Sequence, residues 1–229
     1  MTAAIDAAEQ VEGYDPAAWP AVAVTVDLVL MTVEEGALKV LLAPREAPPF
    51  TGTLALPGGF VRPDEDLDTA AARILAEKAH LGPGWLEQLY TFGDPARDPR
   101  MRVITIAYFA LIPAGALRSA LERSPALRLV AVDATPPLAF DHSTIVGVAR
   151  QRLRGKLDYA PVAFSLLPEQ FTLRALQDVH EAILGRALNK PAFRRRMQDS
   201  GWLAETGARE TGASYRPARL YRFTPEGRS

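Results

Sequence analysis

Between Leu56 and Leu81 the chain reads LPGGFVRPDEDLDTAAARILAEKAHL, and this stretch begins as a phosphate-handling site begins. The pair Gly58-Gly59 closes a glycine-rich loop, where the missing side chains let the backbone approach a pyrophosphate. A helix that starts just beyond favours negative charge at its N-terminus. Splitting a pyrophosphate also takes divalent metal, and Mg²⁺ wants several carboxylate oxygens in one place. Glu65 and Glu77 are acids of the right kind, but Ile74 and Lys78 stand where further acids would be useful. Lys78 sets a positive charge about one turn from that position, where repulsion of a cation is costly at low effective dielectric. The expectation is a phosphate pocket that has lost its hydrolytic chemistry, with no metal site. Arg73 and Glu77, at i and i+4, then form a structural ion pair. Acids from elsewhere, such as Asp94 or Asp98, are the open alternative for holding metal.

A second tract, YTFGDPARDPRMR, packs Tyr90, Phe92, Arg97, Asp98, Arg100 and Arg102 between two strand-like runs. Guanidinium groups suit bidentate phosphate contact and aromatic rings suit a stacked base. Taken alone, the tract also reads as a solvated loop with two core aromatics. Arg45 is a further candidate. A third cluster lies near the C-terminus: Lys190, Arg194, Arg195 and Arg196, followed by Arg216, Arg219 and Arg222 at every third residue. From Pro168 onward the chain carries 11 Lys/Arg against 7 Asp/Glu, whereas the preceding part carries 15 against 20. A basic segment on an acidic body is either a polyanion contact or an ordinary wet surface.

These groups need elements to position them. Residues 21 to 44 read as two strands around a Glu35-Gly36 turn, and Asp66 to His80 as a helix with Leu67, Ala71, Leu75 and Ala79 on one stripe. LEQLYTFG, RVITIAYFALIP and ALRLVAVDA read as further strands. Asp141 to Leu157 reads as a helix with an acidic cap and an apolar face of Ile145, Val148, Ala149 and Leu153. Strands, one helix, then more strands indicate an α+β sandwich. A proline-bearing break lies near residues 160 to 168. Thr172 and Asn189 can then cap two helices ending at Gly185 and Gly201, and WLAETGARETGASYRPARLYRF supplies a hairpin. Helix, turn, helix, hairpin is the order of a winged helix-turn-helix. The expected division is an N-terminal extension over 1–20, a ligand-sensing domain over 21–160 and a DNA-binding domain over 161–229.

Composition narrows the field. The 229 residues include no cysteine, which excludes disulfides and thiolate zinc sites. Three histidines (His80, His142, His180) are too dispersed to suggest a local metal pair, and the last two are expected at caps or on the surface. No apolar run is long enough for a bilayer, and the first twenty residues lack a secretion signal's basic start and apolar stretch. A cytoplasmic protein without membrane partners is expected.

The opening stretch resembles the Nudix box. Gly59, Glu65, Arg73, Leu75, Glu77 and Leu81 fall in its register, while Ile74 and Lys78 replace two of its glutamates and His80 its glycine. Glu65 and Glu77 are then remnants, with no catalytic residue set intact. Across nearly everything after about residue 20, the chain resembles the Nudix-related transcriptional regulators of NAD metabolism. LEQLYTFGDPARDPR, FDHSTIVGVARQRLRGKLDYAPVAFSLLPEQFT, LRALQDVHEAILGRALNKPAFRRRM and RPARLYRF follow that family's segments in order. The resemblance implies a Nudix α/β/α sandwich that senses a nucleotide, often ADP-ribose, followed by a C-terminal winged helix-turn-helix that binds a double-stranded operator as a homodimer. Effector binding usually releases DNA. Arg45, Gly58, Gly59, Phe92, Arg97, Asp98, Arg100 and Arg102 are the candidate ligand contacts. Lys190, Arg194, Arg195, Arg196, Arg216 and Arg219 are the candidate DNA contacts. No cofactor is expected, and Mg²⁺ only under the rival reading, an active ADP-ribose pyrophosphatase with an accessory domain. A plain scaffold whose tail binds a protein is the third reading.

Overall fold

The computed structural model describes residues 18, 20–82, 86–210 and 217–225. In chain order, its first elements are β1 (Ala23–Glu34), β2 (Ala37–Pro44), β3 (Leu54–Ala55), β4 (Gly58–Phe60), α1 (Leu67–Ala79), β5 (Glu87–Phe92) and β6 (Val103–Leu111). Then come α2 (Ala114–Arg123), β7 (Arg128–Ala131), α3 (His142–Lys156), α4 (Leu173–Leu184), α5 (Lys190–Asp199), β8 (Leu203–Arg209) and β9 (Arg219–Phe223).

β1 organises the first seven strands into a mixed sheet with the path β3-β2-β1-β6-β5. It runs parallel to β6 from Ala23↔Val103 to Met31↔Leu111. On its other edge it pairs antiparallel with β2 near its end and with β4 near its start. Alternate residues of a strand point to opposite faces, and here both faces are covered. Val26, Leu28 and Leu30 join Ile106 and Tyr108 under α1 and α2, while Val29 and Met31 join Ala107 and Phe109 under α3. The Glu35-Gly36 turn is a tight hairpin with both residues at positive φ, 53° and 73°, as a two-residue connection between twisted strands requires. α1 starts where Asp66 accepts a hydrogen bond from the Thr69 N–H and ends at His80 in the left-handed region.

The sequence reading misses α2 and runs straight from β6 to β7. That helix buries only Leu117 and Ala120, too short a stripe for periodicity to detect. The helix around residue 150 is present, but its buried face is Ile145, Val146, Ala149 and Leu153. Asp141 does not cap it through its side chain.

The C-terminal elements follow the capping chemistry. Thr172 accepts from the Ala175 N–H, Asn189 from the Ala192 N–H, and α4 stops at Gly185 with φ 69°. They share one apolar core with the sheet. Leu176, Val179 and Ile183 of α4 belong to the same buried cluster as Ile145, Ala149 and Leu153 of α3. The stretch before α4 is packed as well: Phe164 stacks on Phe223 at 4.7 Å and meets Trp202 edge-on. Among the described residues, no helix is long and apolar enough to cross a membrane.

His180 corrects a sequence expectation, lying within α4 and only 3% exposed; His142 stands at the capped start of α3 as expected, but it too is buried, 4% exposed. A neutral imidazole tolerates burial when its nitrogens find partners. His180 Nδ1 lies 2.9 Å from the Leu176 carbonyl, and its ring meets Phe193 of α5 edge-on. Burial lowers its pKa from 6.5 to about 4. Because the folded state prefers the neutral ring, this contribution is complete above pH 6.5 and is lost as pH falls toward 4. Thermal melts should show Tm falling across that window, and His180→Leu should flatten the fall; parallel profiles for both proteins would contradict this assignment.

Candidate functional site

The site begins where the apolar alternation of β1 breaks. On the face that carries Val29 and Met31, the two preceding positions are Asp27 and Thr25, both buried. A buried carboxylate demands partners. Thr105, on the adjacent strand, donates to Asp27 Oδ2 at 2.7 Å. Arg97 Nη2 lies 3.5 Å from the same oxygen. The main commitment of Arg97 is to Asp141, with Nε at 3.0 Å and Nη2 at 2.7 Å from its two carboxylate oxygens. His142 completes the group. The Leu56 N–H donates to its Nδ1 at 2.9 Å, which demands a lone pair there. The ring proton therefore sits on Nε2, facing Asp27 Oδ1 at 3.7 Å. Burial pushes the His142 pKa down, and protonating Nδ1 would also forfeit the Leu56 bond. The ring stays neutral.

Above this floor are two adjoining cavities. The more polar, about 270 Å³, is lined by Asp27, Arg45, Gly58, Lys78, Arg100 and His142. The larger, about 670 Å³, is walled by Phe50, Tyr90, Phe92 and Phe140. Arg97 and Phe140 border both. Arg45 lies 4.6 Å above the Phe140 ring and donates to the carbonyls of Pro49 and Ala47. Arg100 is held by Asp98 through a bidentate pair, Nε at 3.0 Å and Nη2 at 2.7 Å; these bonds hold the Asp98 carboxyl below the usual carboxylate range. Gly58 has no room for a side chain, since a Cβ would fall 2.0 Å from Asp27 Oδ1. Aromatic walls beside a cationic, glycine-floored recess suit a planar base joined to an anion.

The sequence candidates distribute unevenly. Arg45, Gly58, Gly59, Arg97, Asp98 and Arg100 meet around the polar cavity, and Phe92 lines the aromatic one. Arg97 is mostly engaged by Asp141, and Arg102 borders neither cavity. Sequence reasoning missed Asp27, Phe50, Phe140, Asp141 and His142 as site residues. Asp27 had a readable signal, a lone acid inside the apolar run VTVDLVL.

A divalent metal does not fit the donor set around the Nudix-like helix. Ile74 is buried, its Cδ1 3.6 Å from where a Cβ on Gly59 would sit. Glu65 is clamped by Arg73 through both oxygens, which pulls its pKa down to about 2. Glu77 pairs with Arg73 at 3.3 Å and Arg62 at 3.6 Å. Among the described residues, no three acids or histidines converge to hold an ion.

At the other end, Phe193 and Met197 bury one side of α5. At about 100° per residue, Arg195 then points directly away from the body, with Arg194 on the flank beside it; both are exposed, and Arg195 lies 3.6 Å from Asp199. Arg196 turns back over Phe193 and lies 3.6 Å from Asp158. Lys190 is exposed in the first turn. Arg219 pairs with Glu205 across the hairpin at 2.8 Å. Arg216 lies outside the described residues.

A pocket with aromatic walls and a cationic, glycine-floored recess on a mixed sheet, sharing its core with two helices and a hairpin that present arginines, defines a two-domain class: a ligand-pocket module joined to a winged helix. Residues 22–146 match the NUDIX domain family, and residues 163–223 match the NrtR DNA-binding winged helix domain. The chain is 40% identical over 214 residues to the ADPR responsive transcriptional repressor NtrR of Acinetobacter baylyi, covering 92% of this chain and 85% of that protein. It superimposes with a TM-score of 0.77 on the crystal structure of Shewanella oneidensis NrtR complexed with a 27mer DNA, at 38% identity, covering 88% of this chain and 94% of the other. The NUDIX domain of the same Shewanella protein, complexed with ADP ribose, matches at 37% identity and TM-score 0.54, over 65% of this chain and 99% of that one. The chain belongs to the NrtR family of Nudix and winged-helix proteins.

Two substitutions probe this geometry. Asp141→Asn removes the carboxylate that engages Arg97 through two bonds and leaves Asp27, 3.5 Å away, as its counter-charge; losing a charge-assisted hydrogen bond costs about 1.5–3 kcal/mol, so chemical denaturation should shift by a comparable amount. Gly58→Ala should disturb the floor of the pocket through Asp27. Wild-type stability in both variants would refute the network.

Proposed function

We propose that this protein is a transcriptional repressor whose Nudix domain binds ADP-ribose or a closely related nucleotide sugar, and that occupancy controls the grip of the winged helix on a double-stranded operator. The observation that carries this is α3. Its N-terminal end holds Asp141 and His142 of the pocket. Its other end carries Arg154, which donates to the Ile183 and Leu184 carbonyls at 3.0 and 2.9 Å and so caps α4. Fifteen residues of helix span roughly 22 Å, packed along their length in the core that also holds α4. A ligand that shifts the pocket end of a rigid helix has a direct mechanical route to the DNA-binding helices, and needs only a difference in affinity between two arrangements to act.

In this reading the aromatic cavity takes the adenine. Arg45, Arg100 and the Gly58-Gly59 turn meet the diphosphate, and Arg97 with Asp141 positions the pocket and reports its filling. The sensing part runs over 21–160 and the DNA-binding part over 161–229, after an extension over 1–20. Lys190, Arg194 and Arg195 face phosphate, with Arg216 and Arg219 contributing from the wing. Arg196, tied to Asp158, serves the junction first and DNA second. The protein works in the cytoplasm as a homodimer on a two-fold site, since a second copy doubles the contact that one winged helix makes. It needs no resident cofactor, because the acids that would hold metal are neutralised by Arg62 and Arg73.

The test is binding to DNA from the protein's own genomic neighbourhood, with and without ADP-ribose. The nucleotide should weaken the complex. Replacing Arg194 and Arg195 with Ala should lower affinity and reduce the slope of log K against log salt by about 0.9 for each phosphate no longer neutralised. Sedimentation should give a dimer. Robust release of AMP and ribose 5-phosphate in Mg²⁺ or Mn²⁺, abolished by Glu77→Gln, would instead assign the function to a hydrolase.

A further inference from the structure

Lys78 is accounted for by neither the fold nor the ion pairs. It is exposed on the last turn of α1 and borders both the polar cavity, with Arg45 and Arg100, and the adjoining cleft, with Glu77 and His80. A helical lysine can pair with a carboxylate three or four residues away. Here those positions are Ile74, Leu75, Leu81 and Gly82. Among the described residues, no acid lies within ion-pair distance of its ammonium: Glu46 lines the same cleft without pairing with it, and the other nearby acids are committed elsewhere. Arg73 holds Glu65 and shares Glu77 with Arg62, Arg100 holds Asp98, and Arg97 holds Asp141 and approaches Asp27. Arg45 also lacks a carboxylate partner among the described residues, its hydrogen bonds going to carbonyls. Two cations without an ion-pair partner among the described residues therefore face one glycine-floored recess, and a diphosphate brings two negative charges.

We propose that the Lys78 ammonium stands in for the divalent cation, acting as a built-in counter-charge for the diphosphate of the effector. The inference rests on the ADP-ribose reading of the pocket. Where a carboxylate at this position would recruit a metal ion to neutralise phosphate, the ammonium neutralises it directly and repels the metal. Ile74 complements the exchange by filling the neighbouring acid position with a buried aliphatic chain. The swap keeps the phosphate charge compensated while removing the ion that would polarise the pyrophosphate bond.

The experiment measures affinity of the full chain for ADP-ribose and for adenosine by calorimetry, in EDTA and in excess Mg²⁺. Wild type should bind ADP-ribose equally well in both. Lys78→Met should weaken ADP-ribose about tenfold or more, the scale of one charge-assisted contact, while leaving adenosine affinity and Tm unchanged. Lys78→Arg should retain most of the affinity. Lys78→Glu should weaken ADP-ribose further in EDTA and regain part of the affinity in Mg²⁺. Unchanged ADP-ribose binding by Lys78→Met, or wild-type binding that requires Mg²⁺, overturns this proposal while leaving the effector assignment standing. If wild type fails to bind ADP-ribose at all, the effector assignment falls and the proposal falls with it.

Discussion

Two buried charges of opposite sign, Arg97 and Asp27, are the constraint around which the molecule is arranged, and Asp141 makes the arrangement possible. Neither charge can be left alone in a low-dielectric interior. Satisfying them brings the loop after β5, the first half of β1 and the start of α3 to one point. Phe140 carries the local strain of this convergence: its φ of 54° is a conformation that costs a non-glycine residue roughly 1–2 kcal/mol. The cost is supported because Asp141 and His142, the next two residues, are both anchored. The same backbone turn places the Phe140 ring beneath Arg45, so the ion-pair network shapes the pocket wall as well as its floor.

That arrangement also gives the proposed effector a route to a distant helix. α3 begins at the network and ends at Arg154 and Lys156, and along its length its apolar face is shared by the sheet on one side and α4 on the other. The winged helix is therefore packed against the Nudix domain, with charged fastenings at Arg154 and at Arg196–Asp158. Dense packing transmits displacement poorly as gradual deformation and well as a switch between discrete arrangements. The Nudix-like helix has a different role. Its Glu77, and Glu65 just before it, are drawn into pairs with Arg62 and Arg73, its Asp68 accepts from the Tyr108 hydroxyl, and its apolar face, Ile74 included, packs against the sheet. It supports the pocket from below.

Much of this was legible in the chain. The strand pair around Glu35-Gly36, α1 with its Asp66 cap, and both C-terminal helices with their Thr172 and Asn189 caps follow from local rules, since turns and caps are decided within a few residues. The loss of the acids at 74 and 78 is a matter of residue identity and needs no coordinates. α2 was not legible because two buried residues make no detectable period.

What tertiary structure alone decided is where the long side chains of the site direct their hydrogen bonds. An arginine reads the same in sequence whether it faces solvent, a ligand or an acid 44 residues away, as Arg97 does with Asp141. Likewise nothing local to His142 says that a backbone N–H from Leu56 will claim its Nδ1. Residue types and spacing determined the two-domain plan, the cationic character of the pocket and the departures from the Nudix box at 74 and 78, because those depend on composition and short-range periodicity. Which cations are free and which are paired depends on long-range contacts, and only the folded chain brings those partners within about 3 Å of each other.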